Sequence, residues 1–264
     1  MSNKKFIIAI PARLNSKRLP GKVLEPIGNE TMIYKVMSNI LNIKSVDRIF
    51  LCTDNQLIAN QAINLPIKVI LKSGEFSSGT DRICYSISDI IKDISLESNF
   101  NSKDIYIINI QADQPFIDKD LINNFIKNIN LMNSPELVTA YYEKDYDSSQ
   151  DCCDKVKLVT SRKSKRVLYF SRSLIPYINK STVNQLESSR KDFIKYHIGV
   201  YAYRLDILKS WAQLSTSELE QKESLEQLRW IENDIPIYAF KYCSEVFSVD
   251  NINQLEYARR TIKT

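Results

Sequence analysis

A cationic loop near the start of the chain is the first stretch whose residue types point to chemistry. Arg13, Lys17, Arg18 and Lys22 lie within ten residues, in a stretch whose two prolines and one glycine restrict and shape the backbone. Cations and backbone N–H groups placed after a strand and before a helix could hold a nucleotide triphosphate. The commoner explanation is a solvated basic turn. The spacing matches neither the GxxxxGK[ST] phosphate loop nor the GxGxxG fingerprint.

Two aspartates in similar settings could supply a metal site. Asp113 follows a buried apolar run, and Asp250 follows residues 246–249 in the same way. Carboxylates at strand ends can coordinate Mg²⁺, and a pair facing the cationic loop would suit phosphoryl or nucleotidyl transfer. An aspartate in a strand-end turn is also very common without any function. Sequence spacing alone does not show that the two meet.

The segment 78–82, Ser-Gly-Thr-Asp-Arg, stands before a predicted helix. Thr80 or Asp81 could simply cap that helix. In the functional alternative, Gly79 brings the backbone close to a nucleobase and Arg82 donates to a pyrimidine carbonyl.

Several later residues could bind a polar, acidic substrate. Glu223, Glu226 and Gln227 fall at i, i+3 and i+4 and are expected to share one helical face, which is either a solvated surface or a set of partners for sugar hydroxyls. Arg172 could pair with a carboxylate through its planar guanidinium. The single histidine, His197, is more often structural than catalytic in such a position.

The bulk properties restrict the class of protein. The chain has 264 residues, 44% hydrophobic and 25% charged, as in ordinary globular proteins. Its net charge of +5 suits a small anionic substrate and does not argue for nucleic acid. No apolar run approaches the roughly 20 residues of a membrane span, and the start does not resemble a signal peptide, so we expect a cytoplasmic protein without membrane association. Five cysteines without CxxC spacing are expected to be reduced thiols, with Cys52 and Cys84 in the core.

Hydrophobic periodicity predicts the elements that must position these residues. We expect alternating strands and helices through the first half and a β-rich antiparallel segment from about residue 137 to 204. Within that segment we expect a polar loop over 177–195, either without regular structure or with one short helix. Helix, strand and helix are expected again at the end. This pattern is typical of an α/β fold with a Rossmann-like, mostly parallel sheet flanked by helices, and ligands at the carboxyl ends of its strands. We interpret residues 1–264 as one domain with the β-rich lobe inserted. The predicted strands are 6–10, 48–53, 67–71, 105–110, 137–142, 155–159, 167–170, 198–203 and 235–242, and the predicted helices are 32–41, 56–63, 83–94, 121–129, 217–233 and 251–262.

The order of several motifs resembles one known family over nearly the whole chain. The chain is similar to the 3-deoxy-manno-octulosonate (Kdo) cytidylyltransferases of lipopolysaccharide synthesis. The motifs that carry the resemblance are IPARLNSKRLPGK (10–22), CTDN (52–55), SGTDR (78–82), QADQP (111–115), KVKLV (155–159), LYFSRSLIP (168–176), HIGVYAYR (197–204), LEQLRW (225–230) and SVD (248–250).

The resemblance implies a homodimeric enzyme with a nucleotide-diphospho-sugar transferase-like fold, which uses CTP, Mg²⁺ and a 2-keto-3-deoxy sugar acid. It implies that Arg13, Lys22 and Asp113 are catalytic and that Asp113 and Asp250 hold Mg²⁺. The implied nucleotide-binding residues are Pro11, Ala12, Arg13, Arg18, Lys22, Ser78, Gly79, Arg82 and Gln111, and the implied sugar-binding residues are Gln111, Arg172, His197, Tyr201, Glu226 and Gln227.

Three departures from the family pattern leave the sugar open. The usual Gly-Asp-Glu-Pro is here Ala-Asp-Gln-Pro at 112–115, the usual Thr-Pro-Glu-Asp after the second aspartate is Asn-Ile-Asn-Gln at 251–254, and the usual Asn-Ala before the Val-Lys pair is Asp-Lys at 154–155. The alternatives are the same transfer to 8-amino-Kdo or a sialic-type nonulosonate, or a non-catalytic nucleotide-binding protein.

Overall fold

Strands and helices alternate through the first half of the chain, as the periodicity predicts. The computed structural model describes residues 4–16, 18–95, 101–145, 153–178 and 193–262. Its strands are β1 (Lys5–Ala12), β2 (Pro26–Ile27), β3 (Glu30–Thr31), β4 (Arg48–Thr53), β5 (Lys68–Leu71), β6 (Ile105–Asn109), β7 (Leu137–Asp145), β8 (Lys157–Thr160), β9 (Val167–Ser171), β10 (Phe193–Arg204) and β11 (Ile237–Lys241). Its α-helices are α1 (Met32–Asn39), α2 (Gln56–Asn60), α3 (Gly79–Ser95), α4 (Lys119–Leu131), α5 (Leu205–Ser210), α6 (Glu218–Glu223), α7 (Leu228–Glu232) and α8 (Ile252–Ile262).

The chain divides into two compact units, which are described separately. The first comprises Met1–Ser134, Val200–Ala212 and Val246–Thr264, and the second comprises Pro135–Gly199 and Gln213–Glu245. The prediction of one domain with an inserted lobe stays a prediction.

The first unit is built on parallel strands. β1 pairs in parallel with β4 and with β6, and β4 pairs in parallel with β5. The last part of β10 adds an antiparallel partner, Tyr201 to Arg204, to β6. The side chains of Ile7, Ile8 and Ile10 are fully buried, because a parallel sheet in an α/β fold is covered on both sides. The predicted α/β class with a mostly parallel sheet is confirmed.

Three helices of the first unit begin at a short polar residue whose side chain accepts hydrogen bonds from backbone N–H groups of the first turn. Thr31 caps α1, Asn55 caps α2 and Asp118 caps α4, each through a side-chain oxygen. Their apolar faces are buried as the 3.6-residue spacing predicts, for example at Leu121 and Phe125 of α4. Cys52 is fully buried, and burial raises the pKa of its thiol to about 12. Cys84, which we expected in the core, is only partly buried.

The second unit contains antiparallel and parallel pairs. β8 is antiparallel to β9, and Tyr196 of β10 is antiparallel to Lys157 of β8, as expected for this segment. β11 instead pairs in parallel with β7. Of the predicted loop 177–195, residues 179–192 lie outside the described residues, and residues 193–195 belong to β10.

The predicted helix 217–233 is wrong in one respect: it is two helices. Ser224 ends α6 in the left-handed conformation (φ 54°), and α7 begins four residues later. Glu223 therefore lies on α6, whereas Glu226 precedes α7. The i, i+3, i+4 face that the sequence suggested for Glu223, Glu226 and Gln227 does not exist.

No helix in the described part of the chain is long and apolar enough to cross a membrane.

Candidate active site

The segments that follow β1, β4 and β6 lie side by side. In the sheet register Ala12 is opposite Thr53, and Ala9 is opposite Asn109. Parallel strands end at the same edge of their sheet, where α/β proteins bind ligands. The loop 13–22, Asp54 and the segment 110–113 therefore meet at this edge.

The cationic loop is closed by its own backbone. The Gly21 N–H donates to the Leu14 carbonyl at 2.9 Å. Gly21 has φ 71°, a left-handed conformation that glycine adopts without the steric cost of a side chain. Leu19 packs against a core that joins the loop to the end of the chain, formed by Ile27, Met32, Val249, Leu255 and Ala258.

The ammonium of Lys22 lies between the two predicted metal aspartates. Its Nζ is 2.6 Å from Asp113 Oδ2 and 2.9 Å from Asp250 Oδ1, and it donates to the Val249 carbonyl at 3.0 Å. The Val249 N–H donates in turn to the Asp113 carbonyl at 2.9 Å, so the backbone holds both carboxylate-bearing segments together. The fold thus brings Lys22 into contact with Asp113, which is 91 positions away in the sequence, and with Asp250, which is 228 positions away.

Lys22 is a buried, charged residue, with only 9% of its surface exposed. Burial by itself lowers the pKa of the ammonium. The charges and hydrogen bonds of Asp113 and Asp250 outweigh burial, so the pKa is raised above its ordinary value. Lys22 is therefore protonated at neutral pH.

The two arginines of the loop are more exposed than Lys22. Arg18 contacts Asp250 Oδ1 through NH2 at 2.9 Å, and its side chain is largely exposed, so water screens this ion pair. Arg13 donates through NH1 to the Phe76 carbonyl at 3.2 Å. Lys17 lies outside the described residues.

Ser78, and not Thr80 or Asp81, caps α3. The Ser78 hydroxyl accepts from the Asp81 N–H at 3.1 Å, and the Asp81 carboxylate accepts from the Ser78 N–H at 3.1 Å. This reciprocal pair has the geometry of a capping box. Asp81 also accepts from the Trp211 indole at 2.5 Å. The expectation that Thr80 or Asp81 is the cap is wrong because α3 begins one turn earlier than its apolar periodicity suggests.

Gly79 keeps the start of α3 close to β1 and β6. A Cβ placed there would lie 3.0 Å from Pro11 Cγ and 3.2 Å from the amide oxygen of Gln111. A side chain at Gly79 would therefore crowd both neighbours.

Arg82 is held on two sides. Its NH2 donates to Asp54 Oδ2 at 2.9 Å, and its guanidinium lies over the Phe76 ring, 4.6 Å from the centroid. Only 4% of Arg82 is exposed. Its NH1 is buried and has no hydrogen-bond partner among the described residues.

These groups surround one cavity of about 340 Å³, within the range of small-molecule sites. It combines four cationic side chains with two carboxylates at the carboxyl edge of a parallel sheet, a setting that suits a polyphosphate. Every nucleotide-binding residue that the resemblance implied lies in its wall. The cavity is lined by Pro11, Ala12, Arg13, Ser16, Arg18, Lys22, Val23, Ser78, Gly79, Arg82, Gln111, Ala112, Asp113 and Asp250.

Two of the predicted sugar-binding residues belong to the same unit as this cavity. Gln111 lines it and donates to Asn109 Oδ1 at 3.2 Å. Tyr201 is buried and stacks on Tyr203, with ring centroids 5.7 Å apart. The other four, Arg172, His197, Glu226 and Gln227, belong to the second unit.

Arg172 is anchored within the second unit. Its backbone N–H donates to Glu223 Oε2 at 2.8 Å, and its Nε donates to the Glu223 carbonyl at 2.9 Å. NH1 and NH2 make longer bonds to the carbonyls of Cys153 and Ser224. The Arg172 carbonyl accepts from Lys157 Nζ at 2.8 Å. Lys157 is fully buried, which the sequence reasoning missed.

His197 is neutral at neutral pH. Its Nε2 lies 2.9 Å from Thr139 Oγ1, and its ring packs edge-on against Phe170. Burial of the ring lowers its pKa to about 3. The imidazole can therefore share a hydrogen bond but does not offer a positive charge to an acidic substrate near pH 7.

Comparison with known sequences identifies the family. The family described as "Cytidylyltransferase" matches residues 7–237. The 3-deoxy-manno-octulosonate cytidylyltransferase of Thermodesulfovibrio yellowstonii is 33% identical over 260 residues, covering 98% of each chain. That of Parabacteroides distasonis is 35% identical over 258 residues, covering 96% of each.

The chain belongs to the cytidylyltransferase family.

Solved structures agree with this assignment. A structure of CMP:2-keto-3-deoxy-manno-octonic acid synthetase complexed with CTP has a TM-score of 0.83 and 30% identity, covering 98% of each chain. The 4-diphosphocytidyl-2C-methyl-D-erythritol synthase of Anaerococcus prevotii has a TM-score of 0.59 at 13% identity, which shows a shared fold alone.

One departure from the cytidylyltransferase pattern, at 251–254, has a structural account. Gln254 Oε1 accepts from the Asp250 and Asn251 N–H groups at 2.7 and 3.2 Å, and Asn251 Oδ1 accepts from the Gln254 N–H at 3.0 Å. The changed segment thus forms a capping box for α8 that also holds the backbone of Asp250. Gln114 is buried and is not part of the cavity wall.

Sequence reasoning assigned no role to two residues beside the cavity, Asp54 and Phe76. Both hold Arg82, as described above. Asp54 could have been found from its position directly after a strand that is parallel to β1. Phe76 carried no signal, because an aromatic residue in a polar loop has no periodicity to fix its contacts.

Proposed function

We propose that this cytidylyltransferase transfers the cytidylyl group of CTP to 3-deoxy-manno-octulosonate, giving the CMP-sugar and pyrophosphate. Two findings support the proposal. Relatives at 33–35% identity over nearly the full chain carry that name, and the fold places cations and carboxylates around one cavity.

In this reaction the anomeric hydroxyl oxygen of the sugar acid attacks the α-phosphorus of CTP. The bond from the α-phosphorus to the bridging oxygen breaks, pyrophosphate leaves with that oxygen, and the hydroxyl proton passes to solvent. Both reactants are anions, so charge repulsion adds to the barrier of the reaction. Arg13, Arg18 and Lys22 offset this charge and stabilise the leaving group by position and electrostatics, without a covalent enzyme intermediate.

The cavity suits a divalent cation. Three oxygen atoms, from Asp113, Asp250 and the Val249 carbonyl, already surround one cation, the ammonium of Lys22. Mg²⁺ binds through one or two carboxylates together with substrate phosphates. Asp113 and Asp250 would therefore hold Mg²⁺, which would neutralise phosphate charge when bound. Among the described residues no group of three or more His, Cys, Asp or Glu side chains forms a metal cluster, so substrate oxygens would complete the coordination.

On the nucleotide side, we propose that Ser78, Gly79 and Arg82 lie against the base and ribose. Ser78 and Gly79 present the start of α3 to the cavity, and Arg82 supplies a fixed guanidinium. On the sugar side, Gln111, Arg172, His197, Tyr201, Glu226 and Gln227 stay predictions. The homodimer and the cytoplasmic location also stay predictions.

The observation that carries the proposal is the meeting of Lys22, Asp113 and Asp250 in a cavity with two further loop arginines. The test measures pyrophosphate release from CTP with Mg²⁺ and, in parallel, Kdo, 8-amino-Kdo and a sialic acid. We expect release with Kdo and much less with the others. Faster release with 8-amino-Kdo or the sialic acid would transfer the proposal to that acid, and release with none would overturn it.

A further inference from the structure

The contacts of Lys22 conflict with a simple phosphate-binding role. An ammonium group carries three N–H donors. Lys22 Nζ has three acceptors, Asp113 Oδ2, Val249 O and Asp250 Oδ1, at 2.6, 3.0 and 2.9 Å. In this arrangement no donor remains for a phosphate oxygen. Lys22 must release at least one of these acceptors before it can bind a triphosphate.

The same contacts conflict with metal binding. The ammonium contacts one oxygen of each carboxylate, Asp113 Oδ2 and Asp250 Oδ1, so a metal ion that bridges the pair from the same side needs the oxygens that the ammonium now contacts. Two cations within 3 Å of the same oxygens would repel each other strongly in a site where only 9% of Lys22 is exposed to solvent. The metal and the ammonium therefore compete for one position.

We propose that Lys22 is the resident cation of this site: in the nucleotide-free chain it holds Asp113 and Asp250 together, and it leaves them for the triphosphate when the divalent cation enters. This inference rests on the proposed function. One movement of the ammonium serves both ligands, because it exposes the carboxylates to the metal and brings a positive charge to the phosphates. The bindings of metal and nucleotide consequently strengthen each other.

A resident cation also explains how the carboxylate pair persists without ligand. Two neighbouring carboxylates that are partly withdrawn from water repel each other and lose hydration. Lys22 supplies the compensating charge from within the chain. Arg18 is less able to compensate the two negative charges, because its side chain is exposed and it contacts Asp250 but not Asp113.

The test measures Mn²⁺ binding to the full chain without nucleotide, by electron paramagnetic resonance or calorimetry. Lys22→Met removes the ammonium and keeps the apolar stem. We expect Lys22→Met to bind Mn²⁺ about tenfold more tightly than the unchanged chain, a typical coupling between two ligands of one site. Arg18→Met is the matched control, since it also removes a cation from Asp250, and its gain should be less than about threefold. The double variant Lys22→Met with Asp113→Asn should lose the gain.

Equal Mn²⁺ affinity in Lys22→Met and the unchanged chain would overturn the inference, as would an equal gain in Arg18→Met. If Lys22→Met does not fold, Lys22→Gln gives the same comparison, because its neutral amide can still donate to one carboxylate. These outcomes are separate from the proposed function. If the unchanged chain releases pyrophosphate but Lys22→Met shows no gain in Mn²⁺ affinity, only the resident-cation inference is refuted. If Lys22→Met shows the gain but the unchanged chain releases pyrophosphate with none of the sugar acids, only the transferase reaction is refuted.

Discussion

Asp54 Oδ2 accepts a hydrogen bond from Arg82 NH2 at 2.9 Å, and this contact fixes one edge of a guanidinium in the cavity wall. Arg82 is almost fully buried, whereas the Asp54 side chain keeps 28% of its surface exposed. Phe76 lies under the face of the same guanidinium. Because both a carboxylate and a ring hold Arg82, its orientation depends on residues that do not themselves line the cavity.

Asp54→Asn should weaken the binding of CTP and leave the chemical step nearly intact. The neutral amide loses the charge-assisted bond, so Arg82 is less well oriented. We expect KM for CTP to rise about tenfold, which corresponds to ~1.4 kcal/mol, with a small change in kcat. Steady-state kinetics and calorimetry with CTP alone measure the effect.

The control for Asp54→Asn is Asp206→Asn. Asp206 pairs with Arg204 at 2.7 Å, and its side chain is 25% exposed, so the two variants break similar ion pairs in the same unit. Asp206→Asn should lower stability without raising KM for CTP. Equal rises of KM in both variants would show that Asp54 acts through stability and not through the position of Arg82.

Asp113→Asn should abolish formation of the CMP-sugar while the protein stays folded. Asp113 is a proposed metal ligand and the nearest carboxylate to Lys22. The amide of asparagine lacks the negative charge that pairs with the Lys22 ammonium and that would bind Mg²⁺. Pyrophosphate release measures the loss, and circular dichroism verifies the fold. Undiminished turnover in this variant would refute the metal assignment.

Lys22→Ala should mainly impair the use of CTP. The variant removes a buried cation from the cavity, so a higher CTP concentration should be needed for half-maximal rate. Lys35→Ala is a suitable comparison, because Lys35 forms an ion pair with Glu30 at 3.2 Å and is not in the cavity wall. An unchanged dependence of the rate on CTP concentration would count against a phosphate role for Lys22.

Gly79→Ala should reduce CTP affinity more than it reduces stability. The added methyl group would lie 3.0 Å from Pro11 Cγ and 3.2 Å from Gln111, so the cavity wall must shift by a few tenths of an ångström. Gly79 stands at the first position of α3 with an ordinary backbone conformation, where alanine is tolerated. Calorimetry with CTP should show several-fold weaker binding, and the unfolding temperature should change little. Unaltered affinity would mean that the start of α3 does not contact the nucleotide.

His197 should make the folded state sensitive to mild acid. Its pKa is about 3 in the folded chain and 6.5 in an exposed histidine, so the unfolded state binds the proton more tightly. Its contribution to stability is complete above pH 6.5 and is lost as pH falls toward 3. Between pH 7 and pH 5 this group should lower the free energy of unfolding by ~2 kcal/mol.

His197→Gln tests this pH dependence, because the amide can still bond to Thr139 and does not titrate. His197 is the chain's single histidine, so few other groups change protonation between pH 7 and pH 5. Denaturant unfolding at the two pH values should show a smaller difference for the variant. Parallel curves for the two proteins would contradict the lowered pKa.

The sequence by itself determined the family and the main strands and helices of the first unit, though not β2, β3 or α5. Apolar residues at a spacing of 3.6 predicted α1, α3 and α4, and short buried runs predicted β1, β4 and β6, because burial of one face or one strand is a local property of the pattern. The ordered motifs from 10–22 to 248–250 pointed to the cytidylyltransferases, and the comparisons confirmed it.

The local pattern failed where backbone conformation overrides periodicity. The sequence predicted one helix over 217–233 with Leu225 and Leu228 on its core face, yet Ser224 turns into the left-handed region and ends α6. The cap of α3 was misassigned for a related reason. The capping residue is the one that bonds to the unpaired N–H groups of the first helical turn. Its position therefore depends on where the helix begins.

Only the tertiary structure decided how the charged residues of the site are paired. The sequence suggested that Asp113 and Asp250 face the cationic loop, with Lys22 binding phosphate and the aspartates binding metal, but it did not show that they meet. The fold brings Lys22 together with Asp113, 91 positions away, and with Asp250, 228 positions away. The ammonium of Lys22 lies where the metal was expected. Such a contact arises because parallel strands end at one edge of their sheet, and because Val249, Leu255 and Ala258 pack in a core with Ile27 and Met32 that holds the end of the chain at the same edge. No spacing along the sequence encodes that distance.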